Sequence, residues 1–150
     1  MFYVPNDNVF LKNNLGPPAI ELKEFMEVEE GTDVSIVAKI KGVPFPTLTW
    51  FKAPPKKPDN KEPVVYDTHV NKLVVDDTCT LVIPQSRRSD TGLYTITAVN
   101  NLGTASKEMR LNVLGKDYMV LLKLHDFLSI NVISVFKIIL LIKFSFFKPF

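Results

Sequence analysis

Hydrophobic and polar residues alternate with period two along most of the chain between Pro17 and Leu114. That alternation is the mark of strands that bury one face and wet the other. In "DVSIVAKI", Val34, Ile36, Ala38 and Ile40 point one way and Ser35, Val37 and Lys39 the other. Leu48 and Trp50 share a face of "TLTWFK", Cys79, Leu81 and Ile83 a face of "TCTLVIP", and Tyr94, Ile96 and Ala98 a face of "GLYTITAVN". "AIEL" and "FMEVEE" read as one edge strand split in two, and "THVNKLVV" and "TASKEMRLNVL" complete the set. The segments between have turn chemistry. "KGVPFP" is a Gly/Pro loop that cannot continue a central strand. "APPKKPDNKEP" is a long polar loop, Asp76 and Asp77 form a hairpin-type turn, "QSRRSD" is a turn or one turn of helix, and Asn101 to Gly103 turn tightly. Seven to eight short strands at this spacing predict an all-β sandwich or barrel.

The spacing of a few residues narrows this to an immunoglobulin-like two-sheet sandwich. Trp50, the one tryptophan, lies on the third strand, and Ala38 lies twelve residues before it, where that fold places its first cysteine. Ile96 follows Tyr94 by two residues, where the fold places its second. The strands carrying Ala38 and Ile96 are expected to bring these side chains together beside the indole, with no inter-sheet disulfide. Such a bond commonly contributes about 2–4 kcal/mol. A buried isoleucine contributes roughly 1.5–3 kcal/mol, so packing offsets much of the loss. Tyr94 is expected to turn its hydroxyl back to the preceding turn, the tyrosine corner. Asp90 accepts backbone N–H bonds there, and Gly92 permits a close approach or a positive φ. Trp50, Ala38, Ile96, Leu81 and Tyr94 are read as structural core, and Asp90 and Gly92 as turn residues.

From about Gly16 to Leu114 the chain resembles the intermediate-set (I-set) immunoglobulin domains of giant muscle proteins. "GPPAIEL", "EEGTDVSIVAKIKGVPFPTLTWFK" and "CTLVIPQSRRSDTGLYTITAVNNLGTASKEMRLNVLG" carry the resemblance. Within that group it is most similar to the A-band domains of titin, and next to those of the myosin-binding protein C family. The resemblance implies a non-enzymatic link in a tandem array with immunoglobulin and fibronectin type III modules. It also implies a place on the thick filament of the sarcomere and contacts with myosin and myosin-binding protein C. A module of this kind bears tension through the pairing of its first and last strands.

Composition agrees. Of 150 residues, 46% are hydrophobic and 23% charged, enough to build one core. Eighteen cations against sixteen anions, interspersed, leave a net charge of +2 and no nucleic-acid footprint. One cysteine, Cys79, cannot make an internal disulfide. "MFYVPNDNVFLKNN" has neither the basic nor the apolar stretch of a signal peptide. Together these point to a reduced, cytoplasmic setting.

No constellation of catalytic residues appears, and no cofactor is implied. His69 and His125 are far apart in sequence and near no cysteine cluster, so they are not read as metal ligands. Asp76 and Asp77 form an acidic pair in a turn with no nucleophile or histidine beside it. Lys56 and Lys57 are read as part of a solvated loop, with an acidic partner as the alternative. Arg87, Arg88 and Ser89 match a basophilic kinase pattern, so Ser89 is a phosphorylation candidate, against a Ser89 that simply caps its turn. Cys79 is read as a small buried hydrophobe.

The flanks differ from the middle. Residues 1–16 are Asn-rich and aperiodic, an unstructured leader. Residues 115–150 form a hydrophobic tail, and from 117 onward it lacks Gly, Ala, Glu, Arg and Thr. Its most apolar window, Phe127 to Phe147, contains Lys137 and Lys143. A lysine near the bilayer centre costs about 2.5–3.5 kcal/mol, which argues against a span. The AT-rich codon bias of its residues suggests translated non-coding sequence. If translated, the tail is expected to form a helix or a hydrophobic strand. Two functions follow: an intracellular sarcomeric module, or a membrane-anchored immunoglobulin adhesion or receptor protein using the tail as anchor.

Overall fold

The computed structural model describes residues 15–128 and 132–146. Two sheets enclose one core. The first holds β1 (Gly16–Leu22), β3 (Val34–Val43), β7 (Thr78–Ile83) and β6 (Asn71–Val75), in the order β1-β3-β7-β6. The second holds β2 (Phe25–Glu29), β9 (Gly103–Leu114), β8 (Gly92–Asn100), β4 (Thr47–Ala53) and β5 (Glu62–Pro63), in the order β2-β9-β8-β4-β5. A single 3-10 turn, Arg88–Asp90, leads into β8. Helices α1 (Lys116–Leu128) and α2 (Val132–Phe146) follow β9. The architecture is the expected all-β, immunoglobulin-like sandwich without a disulfide, since Cys79 is free and buried.

Local alternation explains the core. In β3, Val34, Ile36, Ala38 and Ile40 are buried and the residues between them exposed. Cys79, Leu81 and Ile83 line the facing side of β7, and Leu48, Trp50, Tyr94, Ile96 and Ala98 come from the opposite sheet. Met109, Leu111 and Val113 of β9 close the core. Gly31, at φ +89°, makes the turn between β2 and β3, a conformation costly for residues with a Cβ.

Nine strands stand among the described residues, where the pattern suggested seven or eight. The expected split edge strand is two strands in different sheets: β1 pairs antiparallel with β3, and β2 pairs parallel with β9. Ile20, Leu22, Met26 and Val28 all face the core from even positions, on both sides of the crossover at Lys23 and Glu24. The alternation therefore runs through the change of sheet unbroken and cannot report it. The loop "APPKKPDNKEP" hides β5, whose two residues are too few to show a period. The leader read at residues 1–16 lies outside the described residues except for Leu15 and Gly16, and Gly16 begins β1.

Candidate functional site

Three features concentrate the chemistry of the fold: a pin through the core, a polar corner below it, and a parallel seam. The pin is Trp50. Its ring is fully buried, and its Nε1–H donates to Cys79 Sγ at 3.3 Å. The register places Trp50 opposite Ile96 on β8, and Ala38 opposite Cys79 on β7. Ala38 and Ile96 are themselves fully buried in the same core, as is Leu81. The bridge between the sheets at this level thus runs from an indole N–H to a thiol. Burial pushes the Cys79 thiol up from its ordinary value, keeping it neutral.

The corner gathers residues from three segments. Tyr94 donates its hydroxyl proton to Asp90 O at 2.7 Å. The Asp90 carboxylate is buried, and its Oδ2 accepts the Arg87 N–H at 2.7 Å while meeting His69 Nε2 at 2.8 Å. Asp90 therefore closes its own turn and ties the segment before β6 to the start of β8. His69 is held in place by Asp67, whose Oδ1 accepts the N–H groups of His69 and Val70, each at 2.7 Å. Those bonds hold the Asp67 carboxyl below its ordinary value. Burial drives the Tyr94 hydroxyl far up, and the nearby Asp90 charge adds to it.

Lys52 seals the corner from the side. Its ammonium donates to Ser89 O at 2.8 Å and sits 5.5 Å from the Tyr94 ring centroid. Burial lowers its pKa, and Asp90 opposes that effect. Gly92 lets β8 approach β4: a Cβ there would lie 2.7 Å from Ala53 O. Close approach, and not positive φ, is what this glycine supplies.

An open cleft of about 710 Å³ lies beside the corner, with Lys52, Arg88, Ser89 and Asn112 in its wall. Ser89 is exposed. It does not cap its turn: Arg87 occupies the cap position, and Asp90 supplies the carboxylate that binds it. Asp76 occupies a positive φ of 50° in the β6–β7 turn, and Asp77 lies 3.8 Å from Lys39. His125 lies on α1, in the segment after β9 that follows the sandwich. No group of metal-binding side chains stands among the described residues. Sequence reading placed Tyr94, Asp90 and Gly92 together but missed His69 and Lys52 as their partners. The Asp67-x-His69 spacing was the available signal, since an aspartate two residues ahead can set a local turn.

The seam is the parallel register of β2 on β9, from Phe25 opposite Arg110 to Glu29 opposite Leu114. Arg110 N–H donates to Glu24 O at 2.9 Å below it, and Glu30 N–H to Leu114 O at 2.8 Å above it. These bonds set the alternation, so Met26 and Val28 turn their N–H groups toward β9.

Comparison with known proteins gives these features their context. The vascular endothelial growth factor receptor 2 of Coturnix japonica is 32% identical over 75% of this chain and 8% of its own length. Myotilin of Mus musculus is 30% identical over 75% of this chain and 22% of its own length. The chain thus spans less than a quarter of these relatives. Among solved structures, the titin M3 domain superposes with a TM-score of 0.57 at 28% identity, covering 65% of this chain and 96% of that domain. The model of the immunoglobulin I-set domain matches residues 18–113. That stretch is well over half of the sequence, and the chain belongs to the immunoglobulin I-set family.

Proposed function

We propose that the chain is a non-enzymatic structural and mechanical module of a giant sarcomeric muscle protein, serving as spacer and protein docking unit. The observation that carries this reading is the β2–β9 seam. A force drawing the start of β2 and the end of β9 apart loads a parallel pair along its length. Its ladder bonds must then fail together instead of one by one. The likeness to titin M3 and to myotilin supports the muscle setting. Titin of the A-band remains the specific parent of this proposal, with neighbouring immunoglobulin and fibronectin type III modules, myosin and myosin-binding protein C as its partners. Residues 17–114 form the working module, and Trp50, Ala38, Ile96, Leu81, Tyr94, Asp90 and Gly92 serve its structure.

A second reading, a membrane-anchored immunoglobulin receptor, draws on the likeness to the growth factor receptor. A core with one free cysteine tells against it. No helix among the described residues is long and apolar enough to cross a membrane. Fractionation of muscle cells expressing the tagged full chain separates the two. Retention in the myofibrillar pellet is expected. Recovery in a carbonate-resistant membrane pellet would overturn the module in favour of the receptor.

A further inference from the structure

Arg87, Arg88 and Ser89 form the exposed tip of the turn before β8, between the buried Ser86 and the buried Asp90. The mechanical reading makes no use of them. Other serines are less open to chemistry from outside. Ser35 lies within β3 and Ser106 within β9, each held in a ladder, and Ser134 and Ser145 lie in α2. Ser89 instead sits in a three-residue turn closed by two backbone bonds. Asp90 N–H donates to Arg87 O at 2.9 Å, and Thr91 N–H to Arg88 O at 3.2 Å. The Ser89 carbonyl is engaged by Lys52, but its hydroxyl takes no partner among the described residues.

The surroundings fit an anion attached to that hydroxyl. Ser89 shares the wall of the 710 Å³ cleft with Lys52 and Arg88. The Lys52 ammonium already lies 2.8 Å from Ser89 O. Burial lowers its pKa, so its charge is incompletely compensated where it stands. Arg88 takes part in no ion pair among the described residues. Glu62 is the carboxylate in the same wall, against these two cations. Asp90 follows Ser89 in sequence, but its carboxylate is turned inward to the Arg87 N–H and His69. A phosphoryl group carries about −1.5 to −2 charge and three acceptor oxygens, and cationic donors bind it through short, strong hydrogen bonds.

We propose that Ser89 is a phosphorylation site, modified on the folded chain by an arginine-directed serine kinase, with Lys52 and Arg88 holding the phosphate. In that step the Ser89 Oγ attacks the γ-phosphorus of ATP. The bond from that phosphorus to the β–γ bridging oxygen breaks and ADP leaves. The hydroxyl proton passes to the catalytic carboxylate of the kinase. The two arginines before the serine supply the charge that such a kinase reads.

The full chain is treated with ATP and the catalytic subunit of cyclic-AMP-dependent protein kinase, and the modified residue is located by fragment mass spectrometry. Phosphate on Ser89 is expected, and Ser89→Ala should lose it. Arg87→Ala keeps the backbone N–H that Asp90 accepts, and should slow labelling by about tenfold. Phosphorus NMR then reads the pairing. Beside two cations the phosphate should give up its second proton below the ordinary value of about 6. Lys52→Met should move that midpoint back up. Should Lys52→Met fail to fold, Arg88→Gln, labelled for longer, gives the same reading from the other cation. A folded chain that takes no phosphate at Ser89, or takes it only at other residues, would overturn the site. A midpoint near 6 that neither variant moves would overturn the hold by Lys52 and Arg88. Both results are independent of retention in the myofibrillar pellet, so this site and the mechanical reading stand or fall separately.

Discussion

Tyr94 closes the corner through one bond, from its hydroxyl to Asp90 O. Tyr94→Phe keeps the ring and deletes that bond, and should lower stability by about 1–2 kcal/mol, read from denaturant unfolding. The same residue gives a pH dependence whose sign is fixed. Its folded pKa lies above the ordinary tyrosine value of 10.0. Above that value the unfolded chain loses the proton while the folded chain keeps it, so stability should fall as pH rises past about 10. Tyr94→Phe should reduce that slope, leaving the parts due to Tyr66 and Cys79, which burial also raises. An unchanged slope in the variant would assign it to another group. Gly92 allows a different test. Alanine there would press a Cβ to 2.7 Å from a strand carbonyl, and β4 and β8 would have to part. Gly92→Ala should cost about 1–3 kcal/mol by the same measurement.

Among the elements, β2 and β9 carry the mechanical argument. Val28 lies opposite Val113 and turns its N–H into the ladder. Val28→Pro removes that donor in the middle of the seam. Single-molecule pulling on the chain held at its two ends should show a markedly lower unfolding force for this variant. Ala19→Pro, in β1 of the other sheet, gives the comparison. If both variants lose force equally, the seam is not where load is borne. The prediction depends on β1 and β2 being separate strands, which alternation could not reveal, because the crossover preserves the even positions that face the core. That two short strands stand between Gly16 and Glu30 was legible, but which sheet each of them joins was not.

For the whole molecule, the sandwich and the helices after it differ in kind. The helices expose large apolar side chains, Phe127 at 86% and Leu141 at 69% among them. The largest side chains that the sandwich buries fully are Trp50 and Tyr94. Lys116 and Lys123 are exposed on α1. Brief trypsin treatment should cut there first and leave a fragment ending near Gly115 that unfolds with the same midpoint as the full chain. A midpoint that falls on cleavage would make the helices part of the folding unit.

By itself, the sequence determined which face of each strand is buried. It also indicated a lone indole and a tyrosine at the corner, and a core held without a disulfide. These follow from local alternation and from a few residues whose spacing only one sandwich satisfies. The tertiary structure decided which strands are neighbours, and that depends on register between segments far apart in the chain. Only there does Cys79 meet the Trp50 indole and His69 meet Asp90, 21 residues away. Only there, too, is β6 left as an edge with its valines uncovered. A period-two pattern records the side of a sheet a residue takes. It carries no term for the strand across from it.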